Sequence, residues 1–295
     1  MRGNQRHRGF SLVEVLVVIA IIAILMGLTL AAVQRTRSAA ARTNCANRLR
    51  QIGLAHHHYH DARGSFPPGV TVGGPGEPYR YMNWETRLLP YLEQEALWQQ
   101  AVEAYRLRPR DYRESPPHPK GTHVAAFVCP ADTLAQEPRT ISGTTFAYSS
   151  YLGVSGTRQT RHDGTMYADS TTRFADITDG TSNTLLVGER PPSTDGMYGW
   201  WYGAEGQNED GSADSVLSTG ERPSSFWLLG CPTTPSEFGP GRPDDQCAAL
   251  HFWSMHPGGA HFLLADGSVR FLPYSAKDVL PFLATRAGGE AAEVP

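Results

Sequence analysis

No proline occurs before Pro67, and no acidic residue before Glu14. The first absence removes the strongest helix breaker from the opening of the chain, so one uninterrupted helix is allowed there. The second leaves Arg2, Arg6, His7 and Arg8 as an unopposed basic leader in front of residues 12–33, where Glu14 is the single charge. The whole sequence also lacks an H-E-x-x-H, a P-loop and a G-x-S-x-G nucleophile elbow, so none of those enzyme classes has its starting constellation. With a net charge of −3 and basic residues gathered before Arg50, the downstream part offers no basic face, which disfavours nucleic-acid binding. Cysteine is scarce, at four residues.

What is present begins with the apolar run. Its 22 residues would rise about 33 Å as a helix, enough to cross a hydrocarbon core of about 30 Å. A carboxylate in that core costs about 2.5–3.5 kcal/mol on insertion scales, so Glu14 requires a partner. An ordinary secretory signal would have a shorter apolar region, no internal acid and an A-x-A-like site, whereas only Thr29-Leu30-Ala31 is offered here. A plain anchor explains the length but not the Gly9-Phe10-Ser11-Leu12-Val13-Glu14 spacing. Basic residues before the run fit a cytoplasmic leader, but Arg35, Arg37, Arg42, Arg48 and Arg50 follow it, so the charge count leaves the orientation open and it rests on the motif.

The run from Gly9 resembles the prepilin cleavage and methylation signal of type IV pilins and type II secretion pseudopilins. That resemblance implies cutting between Gly9 and Phe10 by a membrane prepilin peptidase, N-methylation of Phe10, and use of Glu14 for subunit registry. It also implies an N-terminus in the cytoplasm, a head outside it, and other pseudopilin subunits as partners in the inner membrane.

Behind the span, Ala- and Arg-rich sequence continues to Gly64, with Gly53 as the one internal glycine. Leu49, Ile52, Ala55 (or His56) and Tyr59 recur at helical spacing. The expectation is one helix over residues 10–62, about 80 Å long. From Ser65 most of the 30 glycines and 22 prolines appear, between short aromatic and β-branched blocks. The fold expected is α+β: a long transmembrane spine helix packed on a mainly β, loop-rich, pilin-like head. The division expected is a leader over 1–9, a span over 10–33, a spine continuation over 34–63 and a head over 64–295. A second helix is expected over 91–106, after a break at Pro90. Residues 177–190 read as a turn followed by a strand from Thr184, and residues 261–272 as a hairpin turning on Asp266-Gly267, with both strands flanking a loop whose Asp has φ > 0.

Several blocks occur in a fixed order: the leader signal, Cys45-Ala-Asn, His57-x-Tyr-His60-Asp61, Phe127-Val-Cys129-Pro130, residues 151–156, residues 177–189, and His256-x9-Asp266-Gly267. In that order the chain is similar to a domain-of-unknown-function family of bacterial pseudopilin-like proteins, whose tail (residues 256–272 here) is called the H-X9-DG processing-associated motif.

An extracytoplasmic head permits disulfides, and four cysteines allow three connectivities. Cys231–Cys247 would pin a Pro/Gly-rich loop, contributing about 3 kcal/mol by loop closure. Cys45–Cys129 would then staple the helix to the head. Of His56, His57, His58 and His60, the pairs His57/His60 or His56/His60 could share a helix face, but they lack a matching Cys or acid, and packing or helix capping is the better reading. Asp176 and Asp179 supply oxygen donors at close spacing, as a structural Ca²⁺ site would require, but without the full EF-hand pattern, and a turn is the better reading. His256 and Asp266 suggest an acid–base pair only superficially, since Asp266 is needed in the turn. Trp200-Trp201-Tyr202 and Phe252-Trp253 either fill the core or offer an exposed aromatic platform for a glycan or secreted partner. The sequence therefore favours a non-enzymatic, membrane-anchored filament subunit, with a tethered binding module as the competing reading.

Overall fold

The computed structural model describes residues 12–74, 77–108, 117–206, 210–220, 230–231 and 237–289. Gly9 and Phe10, with the rest of the leader, lie outside the described residues, as does part of the loop between Cys231 and Cys247.

Helix α1 runs from Leu12 to Arg63 without interruption, as the absence of proline allows. Its two halves differ completely in environment. From residue 12 to residue 40 every described side chain is exposed, including Leu12, Met26 and Leu28, each about two-thirds exposed or more. Cys45, Leu49, Ile52, Ala55 and His56 are fully buried. Those positions lie on one stripe at spacings of three and four residues, the face that packs on the head.

The head is built on a five-stranded sheet of order β5-β3-β4-β6-β7. Its strands are β3 (Tyr151–Gly156), β4 (Leu185–Glu189), β5 (Val216–Ser218), β6 (Gly259–Leu264) and β7 (Val269–Pro273). Only the β3–β5 pair is parallel. The two-stranded sheet of β1 (Arg139–Ile141) and β2 (Thr144–Phe146) stands apart. Alternation gives the main sheet two apolar faces. Tyr151, Val187 and Leu263 join the core beneath α1. Leu152, Val154, Leu185, Phe262 and Leu264 pack on the opposite side, against Leu280 and Leu283 of α4 (Leu280–Ala284). The buried runs in β3, β4 and β6 follow from this two-sided burial.

Gly53 has a packing role. A Cβ there would stand 2.8 Å from Leu263 Cδ1, so a glycine is what lets α1 lie close on β6 despite its cost in a helix. Beside it, His57 Nε2 is 2.9 Å from the Ala265 carbonyl oxygen at the β6–β7 turn.

Two local expectations are corrected. The break in the second helical region falls at Glu93, whose φ is +59°, rather than at Pro90. Pro90 instead occupies the first turn of a 3₁₀ segment, Leu89–Leu92, that follows α2 (Trp84–Leu88), and α3 then spans Glu95–Leu107. This is consistent with proline's tolerance at a helix start. In the hairpin, Gly267 alone takes positive φ (+85°). Its N–H donates to the Leu264 carbonyl, and the Leu264 N–H donates to the Ser268 carbonyl. The connection is therefore the longer kind that ends in a left-handed glycine, not a two-residue turn, and Asp266 needs no strained backbone.

Candidate functional site

Glu14 lies in the first turn of α1, on the half of the helix that the head does not cover. Around it the surface is Leu, Val, Ile and Ala, and the helix qualifies by length and composition as one able to cross a membrane. A bare apolar surface of this extent is covered in use by lipid or by other protein. At 1.5 Å per residue, Glu14 sits about 46 Å along the axis from Cys45, where the helix enters the head.

Cys45 is also where the separated motifs of the chain meet. The structure forms Cys45–Cys129, with Cα atoms 4.8 Å apart. Cys129 follows the turn Ala125–Phe127 and is fixed by its own N–H, which donates to Ser150 Oγ at 2.9 Å. His256, in the loop before β6, places Nε2 3.5 Å from Cys129 Sγ and 3.5 Å from Glu189 Oε1. Glu189 ends β4, and its side chain is 1% exposed. The backbone N–H of His261 donates to Glu189 Oε2 at 2.7 Å, and His261 Nδ1 lies 3.2 Å from both carboxylate oxygens. Burial pushes the Glu189 carboxyl up, but the contacts and charges of His256 and His261 outweigh it and hold the group below its ordinary range.

The next residue, Arg190, is fully buried too. Its guanidinium donates to the carbonyls of Pro191 (3.0 Å) and Ala213, and its field reaches Asp132, Asp214 and Glu85. Burial lowers the Arg190 pKa to about 10 despite those three acids. Burial likewise raises Glu85 well above the carboxylate range and Asp132 to about 6. Asp132 Oδ2 accepts from Ser150 Oγ at 2.7 Å. The polar layer thus ties β4 to α2 and to the segment after Cys129. Neither Glu189 nor Arg190 stood out as a site in the sequence; the available signal was a Glu-Arg pair closing an apolar strand and followed by Pro191-Pro192.

His256 and Asp266 do not meet. Asp266 is exposed at the far end of β6, where Oδ1 accepts from the Ser268 N–H at 2.8 Å. Asp176 pairs with Arg173 at 2.9 Å. Asp179 accepts from the N–H groups of Gly288 (2.7 Å) and Gly289 (2.9 Å) and lies 3.2 Å from Thr285 Oγ1. Each carboxylate is thus engaged by protein donors, and among the described residues neither belongs to a cluster of three or more metal-ligand side chains. Cys231 and Cys247 are joined, with Cα atoms 5.6 Å apart. The helix histidines pack instead of converging. His56 stacks on Trp84, and His57 and His60 stand against Phe174. His60 Nε2 accepts from the Phe174 N–H.

Trp200, Trp201, Tyr202, Phe252 and Trp253 are all buried, none more than 5% exposed. The aromatic platform imagined for a glycan or secreted partner is therefore core, and the binding-module reading loses its surface.

A continuous helix, half bare and apolar, half packed on a β-rich head, defines a pilin-like, membrane-anchoring class of protein. The comparisons agree. Residues 4–30 match the motif described as the prokaryotic N-terminal methylation motif, which marks a prepilin-processed, pilin-like chain. Residues 34–278 match the family described as "Protein of unknown function (DUF1559)", and the chain belongs to that family. No curated protein and no solved structure matches it.

Proposed function

We propose that this chain is a pseudopilin-like structural subunit rather than an enzyme. In this reading a prepilin peptidase cuts between Gly9 and Phe10, and Phe10 is then N-methylated. The mature chain sits in the bacterial inner membrane with its N-terminus on the cytoplasmic side and its head outside the cytoplasm. It joins other subunits in a short type II secretion or type IV pilus-like filament.

The observation that carries the reading is the position of Glu14. It stands on an exposed apolar helix, one turn from the predicted new N-terminus and far from any surface of its own head. A carboxylate and an ammonium are each costly in hydrocarbon and far cheaper as a pair. The Phe10 amine of a neighbouring copy is the matching charge. Residues 12–33 span about 33 Å and residues 34–44 about 16 Å more. The latter carry Arg35, Arg37 and Arg42 into the headgroup layer, and Arg42 also reaches the head, where its guanidinium lies 3.3 Å over the Phe271 ring centroid.

Mass spectrometry of the mature N-terminus tests the processing step. Wild type should begin at methylated Phe10, and Gly9→Val should leave a precursor nine residues longer. A mature N-terminus near Ala32, or an uncut Met1, overturns the reading. Glu14→Leu should be inserted and cut yet assemble poorly in cross-linking of membranes; assembly at the wild-type level contradicts the pairing.

A further inference from the structure

Among the described residues, Cys45, Cys129, Glu189 and His256 place one ligand atom each within 4.8 Å of one another, and all four are buried. A staple between two sulfurs needs no carboxylate or imidazole beside it, and a buried carboxylate is costly. His256 Nε2 makes only long contacts. It lies 3.5 Å from Glu189 Oε1, long for an N–H···O bond, and 3.5 Å from Cys129 Sγ, a weak hydrogen bond to sulfur. It stands where two potential donor atoms converge. Glu189 is meanwhile oriented from behind, since the His261 N–H holds Oε2 and His261 Nδ1 lies 3.2 Å from both oxygens, while Oε1 also stands 3.5 Å from His256 Nε2. That is the arrangement of a ligand with an outer-shell partner.

We propose that these four side chains form a structural zinc site when the sulfurs are reduced, so that the Cys45–Cys129 disulfide and Zn²⁺ are alternative occupants of one position. Two thiolates, one imidazole and one carboxylate are the ligand types zinc takes, in a tetrahedron with edges of about 3.3–3.8 Å. Once the S–S bond is gone the two sulfurs can part to that spacing, and the widest of the other pairs, within 4.8 Å, close to it. A dithiol supplies the two electrons and two protons that convert the disulfide to two thiols, and becomes a disulfide itself. Zn²⁺ then displaces the two thiol protons. The adjoining space, lined by Asp132, Ser150, Ser254 and Met255, has no room for a water molecule. The site is therefore closed, as structural zinc sites with four protein ligands are. The disulfide joins α1 to the Cys129 segment, and the metal would hold the same two and add β4 and the loop before β6, so the head keeps its spine in either redox state.

The test uses the full chain in detergent, reduced with a phosphine, exposed to zinc and desalted. One zinc per chain is expected from the reduced protein and none from the oxidised protein. Co²⁺ in place of zinc should give the visible bands of a tetrahedral thiolate site. His256→Ala and Glu189→Gln should each weaken zinc binding tenfold or more. A second readout needs no variant. In wild type, zinc should slow alkylation of Cys45 and Cys129, mapped by peptide, at least tenfold while leaving Cys231 and Cys247 reactive, and a chelator should reverse the protection. Zinc on the oxidised chain, no zinc on the reduced chain, unchanged affinity in His256→Ala, or unprotected Cys45 and Cys129 would each overturn the proposal.

Discussion

His56 offers a stability test whose size follows from its surroundings. The ring is 0% exposed, stacked on Trp84 at 5.3 Å and 27°, with Phe66 edge-on at 6.1 Å. Among the described residues neither ring nitrogen has a hydrogen-bond partner. Burial, helped by the charge of His57, therefore lowers its pKa from 6.5 to about 3. The folded chain holds the neutral ring, whereas the unfolded chain takes up a proton as the pH falls through 6.5. The contribution of this residue is thus fully present above pH 6.5 and is lost progressively down to about pH 3. At about 1.4 kcal/mol per pH unit, the window amounts to about 5 kcal/mol, a large fraction of the 5–15 kcal/mol that holds a typical protein folded, on the order given for natural domains. His56→Phe keeps the stack and removes the titration. Urea unfolding of both full chains in micelles, from pH 7.5 to pH 4, should give a difference in favour of the variant that grows by about 1.4 kcal/mol per unit below pH 6.5. At neutral pH the variant should match wild type or exceed it by about 1 kcal/mol, because two unsatisfied buried nitrogens are gone. Parallel curves across the whole range would refute the reasoning.

The two disulfides should differ in worth, because they close loops of 84 and 16 residues. Replacing both cysteines by serine should cost about 4.5 kcal/mol for Cys45/Cys129 and about 3 kcal/mol for Cys231/Cys247 in urea midpoints measured with chelator present, and a reversed order contradicts the loop argument. Gly53→Val should lower stability by about 2 kcal/mol through crowding against Leu263, seen as a drop in Tm; an unchanged Tm means the helix does not lie this close to β6. Burial holds the Asp132 pKa at about 6 against 3.8 when unfolded, so its ionisation costs stability as the pH rises through that window. Asp132→Asn should gain up to about 3 kcal/mol relative to wild type between pH 4 and pH 6.5, and a flat difference would exclude the effect.

How much of this was legible beforehand depended on the range of the interaction. The spine helix was readable because its signals are local: no proline, good helix formers, and an apolar stripe that begins where the head begins. The β6–β7 hairpin was readable from Asp266-Gly267, but its turn type was not, because one extra residue at Ala265 shifts the left-handed position to Gly267 alone. The helix break at Glu93 was hidden because Pro90 looks like the breaker, yet its ring suits the first turn of a new segment. Gly53 read merely as a weak point in the helix; its purpose needs Leu263, 210 residues away, to be visible. Least legible was the buried polar layer. Glu85, Glu189 and Arg190 look like ordinary surface charges in sequence, and only the tertiary arrangement of His256, His261, Asp132 and Asp214 makes their burial tolerable.

The spacing between His256 and the Asp266-Gly267 turn acquires a physical meaning from this packing. It is the length of strand needed to lay β6 along the buried part of α1. At one end His256 reaches the Cys45–Cys129 pair, and at the other the turn meets His57 through Ala265 and Gly267. On the helix, Cys45 to His57 is twelve residues, a rise of about 18 Å. On the sheet, the six residues of β6 cover about 20 Å. Helix and strand therefore run side by side for matching lengths, anchored at both ends, and nine intervening residues are what that distance requires once Pro257, Gly258 and Ala265 are included. Asp266 contributes by closing the turn and His256 by meeting the sulfurs, so the motif measures a distance between two contacts rather than assembling two residues into one reactive site.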